Sequence, residues 1–181
     1  LTTLLERDGL LATWRRLTNR DEFGQCNGNE LDERGEKVTN SQPSARRQIV
    51  VTDVFCQITE QMGHLAAMCV AVTTPMFGIR VPDVVWMPCE RWESFDHDDP
   101  VPFVPDLCVE VLLDTDRTQE LDRRIASYLG GGAREVIVID RCGQVQFWGL
   151  EGRRPASVLG VSLSLEPMYF DEGTSSAPVV H

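Results

Sequence analysis

The chain has 181 residues, 42% of them hydrophobic, and a formal net charge of −11. That size and apolar content fit one domain with a proper core and exclude a largely disordered protein. No apolar stretch is long enough to span a bilayer, and the start lacks a basic segment followed by an apolar run, so a cytoplasmic protein without a secretory leader is expected.

Taken in chain order, Leu4, Leu5, Leu10, Leu11, Trp14 and Leu17 predict a short amphipathic helix within residues 1–20. A polar stretch punctuated by Gly24, Gly28 and Gly35 follows. Pro43-Ser44 reads as a helix entry, and Ile49, Val50, Phe55, Ile58 and Met62 recur at helical spacing, which predicts a helix from about 44 to 62. Strand-like runs come next at Ala66 to Thr73, Gly78 to Met87 and Leu107 to Leu113. Leu121, Ile125, Tyr128 and Leu129 mark one face of a helix from about 118 to 129, stopped by Gly130-Gly131-Gly132. Arg134 to Asp140 is β-branched, and Cys142-Gly143 turns it into Gln144 to Trp148 as a hairpin. A helix crossing between two strands implies a parallel pair inside a mixed sheet. The expected fold is α/β, a central mixed sheet flanked by helices. Its expected divisions are a helix at 1–20, a domain at 21–170 and a flexible tail at 171–181.

Two acids stand out within apolar strand-like runs: Asp83 in Arg80-Val81-Pro82-Asp83-Val84-Val85-Trp86 and Glu110 in Pro105-Asp106-Leu107-Cys108-Val109-Glu110-Val111-Leu112. A buried carboxylate is costly unless it is paired, hydrogen-bonded or metal-bound. The pair therefore reads as a divalent-metal site, or as carboxylates satisfied by arginines such as Arg80 or Arg124. The charge is uneven: residues 83–122 hold twelve acids against two arginines, and the rest of the chain is close to neutral. Such a field repels a nucleic-acid backbone. The six cysteines (Cys26, Cys56, Cys69, Cys89, Cys108, Cys142) and three histidines lack zinc-ligand spacing, and Cys69 and Cys108 are expected to be buried.

The ordered series Arg80-Val81-Pro82-Asp83, Glu90-Arg91-Trp92, Pro105 through Val111, and Gly132-Ala133-Arg134 through Ile139-Asp140 resembles the Uma2 family, the DUF820 group of the PD-(D/E)XK or restriction-endonuclease-like superfamily. The resemblance covers roughly residues 21 to 150. It implies metal-assisted hydrolysis of phosphodiesters, with DNA as the expected substrate and a homodimer as the expected assembly. Asp83, Glu110 and the backbone carbonyl of Val111 would hold Mg²⁺ or Mn²⁺, ions that prefer oxygen ligands. The alternative is a degenerate relative that keeps the fold as a binding or regulatory protein.

The lysine that usually follows the acid by two residues is absent, because that position is Leu112. By resemblance the charge moves to the next helix, at Arg124, four residues before Tyr128. At about 100° per residue, Arg124 falls at the edge of the packed face and can lean towards Glu110, whereas Arg123 points to solvent. Arginine cannot act as a general base, but it can stabilise a charged transition state. Supporting candidates are Glu36, in a turn resembling the family's early Gly-Glu hairpin, and Gln48, near a helix position where relatives carry an acid. Asp106 is a candidate partner at the strand start, and Asp114 and Asp116 lie in the loop after the Glu110 strand.

Overall fold

The computed structural model describes residues 6–20, 29–40, 43–63, 65–113 and 120–172. Helix α1 spans Arg7–Asn19, β1 Glu30–Leu31, β2 Lys37–Val38 and α2 Ala45–Met62. Strands β3 (Ala66–Met68), β4 (Val72–Thr74), β5 (Gly78–Arg80) and β6 (Val84–Trp86) lead to a short helix α3 (Cys89–Trp92). Then come β7 (Leu107–Val111), α4 (Leu121–Gly130), β8 (Glu135–Ile139), β9 (Val145–Gly149) and β10 (Gly152–Arg154). Asp114, Asp116 and the chain end after residue 172 lie outside the described residues.

The strands form two sheets, a six-stranded one in the order β10-β9-β8-β7-β6-β3 and a four-stranded one in the order β2-β1-β5-β4. In the larger sheet β7 and β8 are parallel, with Glu110 opposite Val138, and every other pair is antiparallel. Helix α4 makes the crossover between the two parallel strands, as the sequence order implied. The fold is mixed α/β.

Alternation along β7 sorts its side chains between two helices. Leu107, Val109 and Val111 join Val50, Val51, Val54 and Ile58 of α2, while Cys108 and Leu112 join Ile125, Tyr128 and Leu129 of α4. The larger sheet is thus covered on both faces, which explains why its central strands read as continuous apolar runs. Helix α1 buries Leu10 and Leu17 against Leu31 and Ile79 of the smaller sheet. Arg15 ties it to Asp99 through bonds of 2.8 and 2.6 Å.

Two expected strands are each divided between the sheets. The run from Ala66 breaks at Cys69, whose φ of 53° interrupts the pleat, and Cys69 is exposed rather than buried. The run from Gly78 breaks at Val81-Pro82-Asp83, where Pro82 has no N–H to offer a ladder. This break turns the chain from the smaller sheet into the larger one and leaves Asp83 at the junction. Gly78 has φ +123°, and a Cβ there would lie 2.4 Å from the Leu31 carbonyl oxygen, so glycine permits the close approach of β5 to β1.

Candidate functional site

Two groups of buried charges lie near the junction between the sheets: Asp83 with Arg47, and Glu30 and Glu110 with Arg80 and Arg124. Asp83 is fixed to β7 at two points. Its N–H donates to the Val109 carbonyl at 3.0 Å, and its Oδ2 accepts the Val111 N–H at 2.7 Å. Glu110 therefore sits between the two backbone groups that Asp83 engages.

Each acid has an arginine partner. Arg47, in the first turn of α2, pairs through Nη2 with Asp83 Oδ1, and its Nε donates to the Val111 carbonyl at 3.2 Å. Arg124 donates through Nε to Glu110 at 3.0 Å and through Nη1 and Nη2 to Glu30 at 3.0 and 2.7 Å. Arg80 reaches Glu30 at 3.4 Å, donates through Nε to Ser127 at 3.0 Å, and lies with Cζ 3.4 Å from the centroid of the Phe77 ring. The Val81 N–H adds a 2.9 Å bond to Glu30. Guanidinium and backbone donors satisfy the buried carboxylates, while Arg80 Nη2 is left buried with no hydrogen-bond partner among the described residues.

The electrostatics follow from this closure. Burial works against the Arg124 charge, but Glu110, Tyr128 and Glu30 outweigh it and hold the guanidinium well above its ordinary value. Burial, followed by the neighbouring Arg124 charge, lowers Arg80, with Glu30 opposing. Burial pushes the Tyr128 phenol well up, Arg124 opposing and Glu110 and Glu30 adding to the rise. A protonated Tyr128 is the donor its geometry requires, at 2.6 Å from Glu110. Burial, then Glu110, likewise pushes the Cys108 thiol well up.

The structure distributes the sequence candidates unevenly. Asp83 is bonded to the Val111 N–H, and Glu110 to Arg124. Arg123 is half exposed and bonds Glu33 at 3.1 Å. Gln48 is exposed, and the α2 residue that enters the cluster is its neighbour Arg47. Glu36 is exposed beside the β1–β2 turn, where its N–H donates to Asp32 at 2.9 Å. Asp106 pairs with Arg91 at the start of β7. Leu112 packs in the core beneath α4, so no charge stands two residues beyond Glu110.

Glu30 and Arg47 are the residues that sequence reasoning missed. Arg47 had a readable signal, since it precedes Val50 and Val51 by three and four residues and so shares their buried face. Glu30 had a weaker one. It is an acid beside Leu31 in the first strand of the hairpin whose turn carries Glu36.

As a metal site, the donor types at Asp83, Glu110 and the Val111 carbonyl suit a hard divalent ion. In this arrangement, however, the Arg47 guanidinium is the cation at Asp83 Oδ1 and the Val111 carbonyl. Among the described residues, no group of three or more His, Cys, Asp or Glu side chains is arranged to hold a metal ion. No helix among them is long and apolar enough to cross a membrane.

Comparison with known proteins supports the motif reading. The Uma2 family model, described as "Putative restriction endonuclease", matches residues 33–169. Among solved structures, a protein from Anabaena variabilis described as "a putative nuclease belonging to DUF820" aligns with a TM-score of 0.61 at 17% identity, covering 78% of this chain and 88% of that one. At that identity the likeness establishes a shared fold, the restriction-endonuclease-like one. No match is found among curated proteins. Because the family match spans more than half of the chain and contains the Asp83 and Glu110 strands, this chain belongs to the Uma2 family.

Proposed function

We propose that the protein is an endonuclease that hydrolyses phosphodiester bonds, with DNA as substrate and Mg²⁺ or Mn²⁺ as cofactor. The observation that carries this reading is the joining of Asp83 to β7 on either side of Glu110, with Arg124 held against that glutamate. Asp83, Glu110 and the Val111 carbonyl would hold the ion. When bound, a divalent ion lowers the pKa of water and neutralises charge on a phosphate. The chain's own groups do the rest. Arg124 and Tyr128 hold the Glu110 carboxylate in place through bonds of 3.0 and 2.6 Å. Arg124 remains charged at every working pH, so its role is positional and electrostatic, never that of a base. Assembly as a homodimer belongs to the same proposal and is tested by sedimentation.

The direct test is plasmid nicking across ~50–150 mM salt, because added salt screens the repulsion between an acidic protein and DNA. Wild type should nick with Mg²⁺ or Mn²⁺, and Asp83→Ala and Glu110→Gln should each lower the rate by at least about 100-fold, the scale of a lost electrostatic catalytic group. Equal trace activity in wild type and Asp83→Ala would sink the enzymatic reading.

A second reading is a non-enzymatic relative that keeps the fold for binding or regulation. The pairing of Asp83 with Arg47 favours it, because a buried site already neutralised by arginines needs no metal for stability. That reading expects no nicking under any divalent ion from a protein that remains folded and cooperative in its melt.

A further inference from the structure

We infer that Arg47 is an internal cation that competes with divalent metal for Asp83 and the Val111 carbonyl, so that metal enters only when this side chain leaves. The inference rests on the metal-site reading above and assigns a role to a residue that reading does not use.

The position of Arg47 is unfavourable for its own helix. Ser44 caps α2 by accepting the Arg47 N–H at 3.1 Å, which places Arg47 in the first turn. That turn holds no acid and two arginines, Arg46 and Arg47, although the helix N-terminus carries partial positive charge. The helix therefore gains nothing from a cation there, and the compensation comes from across the fold. Arg46 turns outward to Asp171 at 3.2 Å and to the Leu113 carbonyl at 3.4 Å. Arg47 turns inward, 4% exposed, to Asp83 and the Val111 carbonyl.

Those two acceptors are two of the three oxygen donors the metal reading requires. A guanidinium presents several N–H groups in a rigid fork and can span a carboxylate and a carbonyl together, as Arg47 does here. The charge count points the same way. Arg47 and Asp83 form a neutral buried pair, while Arg80 and Arg124 face Glu30, Glu110 and the half-exposed Glu120. Adding a divalent ion beside an undisplaced Arg47 would set two cations against the single Asp83 carboxylate in a buried site, with the α2 N-terminus adding its own positive field. Removing the Arg47 charge leaves one excess negative charge next to the metal donors. Arg47 thus sets the affinity of the site from the opposite side to the acids.

The experiment is Mn²⁺ titration of the full chain by calorimetry and thermal shift, comparing wild type, Arg47→Gln and Arg47→Gln/Asp83→Asn. Arg47→Gln should bind Mn²⁺ at least about tenfold more tightly than wild type and should melt higher as Mn²⁺ is added, given the strength of close charge pairs. The added Asp83→Asn should abolish that gain. If Arg47→Gln does not fold, Arg47→Lys takes its place, since it keeps a charge but loses the fork and should show a smaller gain in the same direction. Equal Mn²⁺ binding by wild type and the folded variant, lost on Asp83→Asn, overturns the competition while leaving the metal site standing. Absence of Mn²⁺ binding in every folded variant overturns the metal site and the competition with it.

Discussion

Replacing Arg124 with leucine tests whether the buried cluster is held together by charge. Arg124→Leu removes the 3.0 Å bond to Glu110 and the bonds of 3.0 and 2.7 Å to Glu30, leaving these two buried carboxylates short of one guanidinium. A charge pair ~4 Å apart at an effective dielectric of about 20 is worth ~4 kcal/mol. Removing one partner of a buried pair typically costs about 3–5 kcal/mol. Glu30 keeps the Val81 N–H at 2.9 Å and Glu110 keeps the Tyr128 hydroxyl at 2.6 Å, so the lower part of that range applies, roughly 3–4 kcal/mol. At ~2–4 °C per kcal/mol for a chain of this length, the melting temperature should fall by about 6–16 °C. Urea and thermal unfolding at pH 7 measure both quantities. Adding Glu30→Gln removes one orphaned charge, so the double variant should be more stable than the sum of the two single losses by about 1.5–3 kcal/mol. A loss below ~1 kcal/mol for Arg124→Leu, or strict additivity in the cycle, would refute the account.

Three further outcomes are expected. Burial, with Glu110 and Glu30, raises the Tyr128 phenol well above its ordinary 10.0, so the folded state keeps a proton that the unfolded chain releases above that pH. Its contribution is whole below pH 10 and is lost above it at ~1.4 kcal/mol per pH unit; Tyr128→Phe should flatten this alkaline decline in urea melts from pH 9 to 11. Gly78→Ala should destabilise by more than ~2 kcal/mol in the same assay, because it combines a positive φ with a clash against the Leu31 and Asp32 carbonyls. Asp83→Asn should destabilise by about 2–4 kcal/mol in denaturant titration, because it leaves the buried Arg47 guanidinium facing an amide; a stabilised variant would mean that the acids repel one another uncompensated.

The fold was legible where periodicity and punctuation agreed. Ser44 and the apolar spacing place α2 within a residue of its observed start, and the glycine run places the end of α4. The division of two expected strands was harder to see, because an apolar run carries no mark of which sheet it joins. Pro82 was the one local sign, since a residue without an N–H ends a ladder. The site was legible as far as strand parity and helical angle reach. Both place Glu110 and Arg124 on the same side of the larger sheet, where the structure joins them at 3.0 Å. The misplaced residues fail by register. Gln48 is one position from Arg47, and one helical step rotates a side chain by about 100°, from the core to solvent. Glu36 marks the right hairpin, but the acid that turns inward is Glu30 on its first strand.

The arginine content explains how the buried acids are held. A lysine two residues beyond Glu110 would place one ammonium on the strand itself, but Leu112 fills that position and serves the α4 core. The positive charge instead comes from α2 through Arg47, α4 through Arg124 and β5 through Arg80. A planar guanidinium can engage two acceptors at once, as Arg124 does with Glu110 and Glu30, and Arg47 does with Asp83 and the Val111 carbonyl. An ammonium is a compact point charge that gives each acceptor less. Exchanging lysine chemistry for arginine chemistry thus turns a charge that stands beside the acids into one that binds them. On the proposed metal-site reading, the balance between an open and a closed site is set less by the acids than by the arginine that holds Asp83.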